Sequence, residues 1–205
     1  MNEFRILRGS DVTSQMIKDM IEIDKLVYEP EMQGSEEASL SWIEKNPDIY
    51  TYMIDDKTGK VVGYINAMPV SDDLCAKIVN GESLDIEISA DDILTFEDNN
   101  NYTLYFCSIA VHPDYRGTVA FTCLYNAFIK HLIHLTERGI FITKLLADGV
   151  TDKGARMCRL SGLDKVLETS YGSSIYVLPV IPEKFRPLSY EGEKLKEIYL
   201  GRFGK

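Results

Sequence analysis

Apolar residues recur along this chain with two spacings, one typical of strands and one typical of helices. Short apolar runs, several of them alternating, predict seven strands, at residues 4–8, 49–55, 60–70, 102–111, 140–147, 163–169 and 173–180. The turn residues "DKTG" separate the second run from the third. We therefore expect these two strands to pair as a hairpin.

Longer stretches repeat their apolar residues every three to four positions, which predicts helices. The first helix lies between a cap at Ser10 or Thr13 and a stop before Pro30. We expect its apolar face to comprise Met16, Ile17, Met20, Ile21, Ile23, Leu26 and Val27. Further helices are predicted at 35–47, 119–137, 152–162 and around 191–200. Gly139 and Gly162 follow two of them, where glycine commonly closes the last turn.

This order of elements predicts an α/β (α+β) chain with a mixed sheet flanked by helices. A length of 205 residues fits one domain over 1–205. We expect this domain to carry an acidic insertion at about 71–101 and a C-terminal tail at 183–205. The alternation "LDIEI" at 84–88 indicates an extra strand within the insertion.

The chain carries a formal net charge of −10, which argues against binding to nucleic acid, since a phosphate backbone requires a basic surface. Residues 71–101 carry a net charge of −8, because they contain nine carboxylates and a single basic residue, Lys77. This segment is either a solvated surface or a negative rim that attracts a cationic amine. The carboxylates are Asp72, Asp73, Glu82, Asp85, Glu87, Asp91, Asp92, Glu97 and Asp98.

The four cysteines and three histidines have no spacing typical of a zinc site or a disulfide framework. We therefore expect no metal, and we expect most of the cysteines to be buried thiols. No apolar run approaches the length of a membrane span, and the N-terminus is polar. These features predict a cytoplasmic protein with no membrane partner, and they leave a homodimer open.

The stretch "LYFCSIAVHPDYRGTVAFTCLYNAFIKHL" leads from a strand through a short loop into a long helix. Arg116 and Gly117 stand where this helix begins. The first amides of a helix bind phosphate, arginine adds a permanent charge, and glycine permits the turn. The loop is therefore a candidate anion site. The glycine patterns of Rossmann dinucleotide sites and of P-loop NTPases are both absent.

The residues "IAVHPDYRG" (109–117) resemble the signature of the GCN5-related N-acetyltransferases (GNAT). A second block, "TDKGARMCRLSGL" (151–163), resembles a later motif of the same family, with Thr151 at its asparagine position and Cys158 at its tyrosine position. The resemblance also covers the order of elements along most of the chain. It implies a GNAT-like acyl-CoA N-acyltransferase fold.

The resemblance further implies acetyl-CoA or another acyl-CoA as the acyl donor. In this family pantetheine runs along the strand that ends here at Ile109, Ala110 and Val111, and the pyrophosphate lies on the amides after Arg116. The implied cofactor-binding residues are Ile109, Ala110, Val111, Arg116, Gly117, Thr118, Val119, Ala120, Phe121 and Thr151. Val119 and Phe121 occupy positions that the family fills with small residues. The resemblance places the acyl carbonyl near a splay between the strands that end near residues 111 and 147.

Acyl transfer to an amine requires a neutral amine, a stabilised oxyanion and a proton for the leaving thiolate. Cys158 is the candidate acid, because it stands where the family has its proton-donating tyrosine; a packed helix cysteine is the alternative, and we favour it. No convincing base lies on strand 102–111, and Glu87 and His112 are outside candidates.

Three functions remain open from the sequence. The first is an acyl-CoA-dependent N-acyltransferase, acetyl being the expected group, that acts on a primary amine of a small molecule or peptide. The second is a CoA-binding protein without turnover, such as a sensor. The third is a scaffold that has lost CoA binding.

Overall fold

A computed structural model describes residues 3–83, 88–170, 172–180 and 182–204. The strands are β1 (Phe4–Leu7), β2 (Tyr50–Asp55), β3 (Val61–Val70), β4 (Asn101–Val111), β5 (Phe141–Asp148), β6 (Asp164–Glu168) and β7 (Ser174–Pro179). The helices are α1 (Ser14–Val27), α2 (Glu36–Lys45), α3 (Asp72–Val79), α4 (Ala120–Glu137), α5 (Asp152–Leu160) and α6 (Tyr190–Phe203). The seven strands and five helices predicted from apolar spacing are confirmed, and α3 is an addition.

Helix α3 lies in the acidic segment. It has only three buried apolar side chains, so its helical spacing is hard to recognise in the sequence. The Ser71 hydroxyl caps it by accepting the N–H of Leu74 at 3.1 Å, and two aspartates in its first turn suit the helix dipole. Its buried side chains are Leu74, Cys75 and Ile78. The strand predicted at 84–88 falls mainly on residues outside the described part of the chain.

The seven strands follow the order β1-β2-β3-β4-β5-β7-β6, with β4 and β5 parallel and the pairs β1–β2, β2–β3, β5–β7 and β6–β7 antiparallel. The mixed sheet is therefore confirmed. Pairs run from Asn101–Phe141 to Phe106–Ala147 along β4 and β5, and β4 continues beyond them to Val111.

The chain forms two compact units. The first holds the described residues of Met1–Met68, Ile88–Thr95 and Ser108–Phe128. The second holds the described residues of Pro69–Glu87, Phe96–Cys107 and Ile129–Lys205. The domain organisation drawn from the sequence stays a prediction.

In the first unit, α1 begins at a Thr13 cap and buries Met16, Ile17, Met20 and Ile23. The prediction that Leu26 belongs to this face is wrong. Its side chain is 54% exposed, because it lies off the stripe that faces the core. The charged residue Asp24 is buried instead, with 3% of its surface exposed.

Gly63 of β3 allows a close approach of neighbouring elements within the same unit. A Cβ at this position would lie 3.0 Å from the Ala110 carbonyl oxygen of β4 and 3.3 Å from the Leu124 side chain of α4. The glycine therefore lets β4 and α4 pack tightly against β3.

In the second unit, α6 is tied to β5 by Tyr199. Its hydroxyl accepts the N–H of Ile142 at 2.8 Å and donates to the carbonyl of the same residue at 3.0 Å. The cap predicted at Gly139 is confirmed: this residue has φ of +72°, and the N–H of Ile140 returns to the Leu135 carbonyl.

The fold bears on three expectations, about buried cysteines, membrane spans and metal ligands. Of the four free cysteines only Cys75 is buried, while Cys123 is exposed and the other two are half-buried, so the prediction that most are buried is wrong. Cys123 lies on the outward side of α4, which the apolar stripe of that helix leaves to solvent. No helix in the described ranges is long and apolar enough to cross a membrane. Within the same ranges, no three histidine, cysteine or carboxylate side chains come together as metal ligands would.

Candidate functional site

The loop after β4 is held in place by polar contacts within the first unit. The N–H of His112 donates to the Val62 carbonyl at 2.9 Å, and His112 Nδ1 accepts the N–H of Asp114 at 3.2 Å. The Tyr115 hydroxyl donates to the Asp55 carboxylate, and this hydrogen bond is the main reason that the pKa of Asp55 lies below its ordinary value. His112 therefore has a turn-forming role, and the loop is anchored to β2 and β3.

The turn into α4 is made by Gly117 and Thr118. Gly117 has φ of +75°, in the left-handed region, and a Cβ at this position would meet nothing within 4 Å. Thr118 Oγ1 donates to the Tyr115 carbonyl at 2.7 Å and accepts the N–H of Ala120 at 3.1 Å. The turn is thus ordered by its own side chains and leaves open space on its outer side.

Several donors at this turn remain available. In the described part of the chain, the N–H groups of Gly117, Val119 and Phe121 make no hydrogen bond, and Arg116 is exposed without an ion pair. Among the predicted phosphate contacts, Ala120 differs, since its N–H is occupied by Thr118 and its side chain is fully buried. The arrangement can accept an anion through backbone amides and one guanidinium.

The two large residues in the loop are exposed. Val119 has 61% and Phe121 has 41% of its surface accessible, and the Phe121 ring stacks on Tyr125 one helical turn along α4. These two side chains therefore do not cover the unpaired N–H groups of the turn.

The end of β4 is more buried than the loop. Ala110 and Val111 are 2% and 9% exposed, whereas Ile109 is half-buried. The Ile109 carbonyl accepts a hydrogen bond from the Tyr28 hydroxyl at 3.3 Å. The three predicted pantetheine-binding residues are therefore contiguous on β4, with Ile109 the most accessible.

Thr151 and Cys158 belong to the second unit and lie on α5. Thr151 is the N-cap of this helix, and its hydroxyl accepts the N–H of Gly154 at 3.0 Å. Burial, followed by the nearby Asp148 carboxylate, raises the pKa of the Cys158 thiol to about 11. The thiol is therefore protonated at neutral pH, as a proton donor must be.

A polar cluster under α1 was not predicted from the sequence. It consists of Asp24, Tyr28, Tyr64 and Ser108, and we call it the Asp24 cluster. The Tyr64 hydroxyl donates to Asp24 Oδ1, and the N–H of Gly34 donates to Asp24 Oδ2 at 3.3 Å. Ser108 Oγ lies 2.9 Å from the Tyr64 hydroxyl and 3.0 Å from the Tyr28 hydroxyl.

Burial controls the electrostatics of this cluster. It raises the pKa of Asp24 to about 6, although the hydrogen bonds from Tyr64 and Gly34 act in the opposite direction. Burial also raises the pKa of Tyr64 well above its ordinary value. At neutral pH the cluster thus holds a carboxylate that takes up a proton easily and a tyrosine that stays neutral.

A sequence signal for Asp24 existed. It lies four residues after Met20 and seven after Ile17, which places it on the buried face of α1. The partners come from distant strands, so only the tertiary structure brings them together. Asn66 lies on the same face of β3 as Tyr64, and its buried amide oxygen has no hydrogen-bond partner in the described ranges.

The carboxylates of the acidic segment that can be described are mostly engaged in local structure. Asp92 Oδ2 accepts from the N–H and hydroxyl of Ser89 at 2.9 and 2.7 Å. Asp98 pairs with Arg138 at 2.8 Å. Asp85 and Glu87, the latter a candidate base, lie outside the described residues.

Known proteins can now be compared with this geometry. The model of the acetyltransferase (GNAT) family matches residues 16–148, so the chain belongs to this family. No curated protein matches the chain significantly by sequence.

Solved structures resemble this fold over most of its length. A GNAT-like decarboxylase, GphF in complex with isobutyryl-CoA, has a TM-score of 0.58 at 12% identity, covering 86% of this chain and 98% of that one. The loading GNATL domain of CurA from Lyngbya majuscula has a TM-score of 0.57 at 12% identity, covering 86% and 96%. The NatC complex bound to Gag peptide and CoA has a TM-score of 0.57 at 14% identity, covering 87% and 99%. The GNAT-like fold is therefore confirmed.

Proposed function

We propose that this chain is an acyl-CoA-dependent N-acyltransferase that moves an acyl group, acetyl being the simplest, to a primary amine of a small molecule or peptide. The observation that carries the proposal is the turn at the start of α4. It combines Arg116, the left-handed Gly117 and free amides at Val119 and Phe121 in a member of the GNAT family.

In this proposal the pyrophosphate of the acyl-CoA binds the amides of Gly117, Val119 and Phe121, and Arg116 pairs with it. These donors carry positive partial charge because they begin a helix of 18 residues. Pantetheine runs along Ile109, Ala110 and Val111. The exposed Val119 and Phe121 side chains then flank the bound molecule and lose part of their exposure to water.

The reaction forms a C–N bond and breaks the C–S bond of the thioester. An amine that arrives as an ammonium loses two protons overall, one before it attacks and one after the C–N bond forms; the leaving sulfur takes up one proton, and an acid that supplies it is reprotonated by the second amine proton. Cys158 is the candidate source of a proton for the sulfur, since its thiol is protonated at neutral pH, and a packed thiol without a part in the reaction is the alternative. Thr151, at the N-cap of α5, is proposed to take part in binding the acyl-CoA, as the resemblance to the family implies.

Two of the neighbours contain CoA or an acyl-CoA, which supports acyl-CoA as the ligand here. One of them is a decarboxylase, so the fold also carries other chemistry on acyl-CoA. A CoA-binding protein without turnover is the second candidate, favoured by Val119 and Phe121 in the loop and by a cysteine at the family's tyrosine position. A scaffold without CoA binding is the third.

The charge of the chain suggests the acceptor. We propose a cationic amine, because nine carboxylates within residues 71–101 favour the approach of positive charge. The free cysteines suit a reducing compartment such as the cytoplasm. No nucleic-acid or membrane partner is proposed, and homodimerisation stays open.

The test is release of CoA from acetyl-CoA in the presence of a panel of primary amines, with the acylated product identified by mass spectrometry. The panel contains diamines, aromatic amines, lysine peptides and peptides with free N-termini. Because Cys123 is exposed, a thiol reagent also reacts with the protein, so each reaction needs a blank without amine. We expect amine-dependent release with at least one class.

Thermal stabilisation by acetyl-CoA separates the remaining candidates. Stabilisation without release by any amine favours the protein without turnover, and no stabilisation favours the scaffold. Either result contradicts the proposed transferase.

A further inference from the structure

We propose that the Asp24 cluster is a proton relay, which takes one proton from the acceptor amine at Tyr28 and delivers it to Asp24 through Ser108 and Tyr64. This inference rests on the proposed function and names the base that the sequence did not reveal. It is carried by the hydrogen-bond geometry of four side chains from α1, its C-terminal end, β3 and β4.

The direction of the hydrogen bonds follows from the chemistry of the groups. An ionised carboxylate only accepts, so the single Tyr64 hydroxyl proton points to Asp24. The Tyr64 oxygen must then accept a hydrogen bond from the Ser108 hydroxyl, and the single Ser108 proton lies in that bond. The Tyr28 hydroxyl has two acceptors within reach, the Ile109 carbonyl at 3.3 Å and Ser108 Oγ at 3.0 Å, and in the relay its single proton turns to Ser108. Every hydroxyl proton in the cluster can therefore point toward Asp24 at the same time.

Burial increases along the same direction. Tyr28 and Ser108 are half-buried, whereas Tyr64 and Asp24 are 2% and 3% exposed. The Tyr28 hydroxyl also lies 3.3 Å from the Ile109 carbonyl, on the strand where the acyl-CoA is proposed to bind. The accessible end of the relay is thus next to the proposed site of reaction, and the carboxylate is kept away from water.

The proton transfer is balanced without any further reagent. One N–H proton of the acceptor ammonium passes to Tyr28 Oη, while the Tyr28 proton moves to Ser108 Oγ, the Ser108 proton to Tyr64 Oη and the Tyr64 proton to Asp24 Oδ1. The amine becomes neutral, Asp24 becomes a carboxylic acid, and the three hydroxyl groups are regenerated. The same steps in reverse return the proton to solvent.

The surroundings of Asp24 favour a base that works near neutral pH. Among the described residues, the titratable groups that interact with Asp24 are Tyr64 from β3 and Tyr52 from β2, Tyr28 from the end of α1 interacts with Tyr64, and α2 contributes the uncharged Ser39 near Gly34. In the described ranges no base pairs with Asp24. Its pKa of about 6 is close to the value at which general bases are most effective.

A purely structural role explains these residues less well. A buried carboxylate without a cation costs free energy, and a neutral side chain could accept the same hydrogen bonds. A relay requires the ionisable group and each intervening hydroxyl. The two roles differ in what happens when a single hydroxyl is removed from the middle of the cluster.

The test uses acetyl-CoA and benzylamine, together with the best amine of the panel, from pH 5 to pH 9. Ser108→Ala, Tyr28→Phe and Asp24→Asn should each slow turnover at pH 7 by about 10²- to 10⁴-fold, the usual worth of a general base. The acid limb of the profile near pH 6 should disappear, and the rate should recover at high pH as the amine loses its proton unaided. Ser108→Thr keeps the hydroxyl and should retain the limb.

Tyr52→Phe is the matched control. Tyr52 is buried on the same face as Tyr64, but its hydroxyl donates to Met20 Sδ at 3.5 Å outside the cluster. This variant should keep the wild-type profile. Calorimetry with CoA on every variant shows whether the donor still binds.

The outcomes separate this inference from the proposed function. Wild-type turnover with unchanged pH profiles in Ser108→Ala and Tyr28→Phe would overturn the relay and leave the transferase standing. No turnover by the wild type with any amine would overturn both. Loss of the acid limb in the three variants, with CoA binding and the Tyr52→Phe profile intact, supports the relay.

Discussion

Asp24 should make the stability of the protein depend on pH in an unusual direction. Most carboxylates have a lowered pKa in the folded state and stabilise it more as the pH rises. Burial instead raises the pKa of Asp24 from 3.8 to about 6. The replacement Asp24→Asn removes the titration and keeps the size of the side chain.

The magnitude follows from these two pKa values. Each pKa unit corresponds to about 1.4 kcal/mol, so the difference at Asp24 is worth about 3 kcal/mol. The folded state binds the proton more tightly than the unfolded state. The stabilisation is therefore fully present below about pH 4 and is lost as the pH rises through about 6.

The assay is denaturant unfolding of the wild type and Asp24→Asn at several pH values between 4 and 8. We expect the free energy of unfolding of the wild type to fall by about 2 to 3 kcal/mol relative to the variant between pH 4 and pH 7. New hydrogen bonds of the asparagine shift the variant by a constant amount and leave this slope unchanged. Asp11→Asn makes the same substitution at an exposed position and is the control for the loss of one carboxylate.

A constant difference between wild type and Asp24→Asn across this range would refute the reasoning. It would mean that Asp24 titrates alike in the folded and unfolded states, so the carboxylate could not be the poised acceptor of a relay. A difference that grows in the opposite sense would mean that the hydrogen bonds from Tyr64 and Gly34 outweigh burial.

Three further predictions concern other parts of the chain. Cys158→Ala should lower the free energy of unfolding by roughly 1 kcal/mol and leave turnover per folded enzyme unchanged, as expected of a packed thiol; turnover slowed by about 10²-fold or more, with loss of the decline at high pH, would instead identify it as the acid. Gly63→Ala should destabilise by about 1–3 kcal/mol, since its Cβ would meet the Ala110 carbonyl at 3.0 Å, whereas Gly201→Ala on α6, with open space around it, should not destabilise. For a cationic acceptor KM should rise with ionic strength, because salt screens the acidic segment over about 8–10 Å; a KM that ignores salt would show that this segment is solvated surface.

The elements that depend on local sequence could be predicted. The hairpin of β2 and β3, the Thr13 cap and the glycine at the end of α4 all follow from neighbouring residues. Helix α3 was missed because acidic residues surround its short apolar stripe. The loop after β4 was found from Arg116 and Gly117, yet the use of the Ala120 amide by Thr118 required the backbone geometry.

The Asp24 cluster lay beyond prediction from sequence for a different reason. Its members are separated by up to 84 positions in the chain, and none has a motif of its own. Asp24 could be placed on the buried face of α1 by its spacing. Its partners Tyr64 and Ser108 became evident only when β3, β4 and α1 were brought together.

Binding of CoA at the turn before α4 is the claim on which transfer and relay both depend. Isothermal titration of CoA into the wild type, Arg116→Ala and Arg5→Ala tests it most directly. Arg5 is the control, because it is an exposed arginine on β1 that pairs with Asp56, and its loss changes the net charge by the same amount. We predict one CoA per chain, an affinity lowered about 10- to 150-fold in Arg116→Ala, the worth of a charged hydrogen bond, and no change in Arg5→Ala. Equal affinities in all three proteins, or no binding by the wild type, would contradict the account.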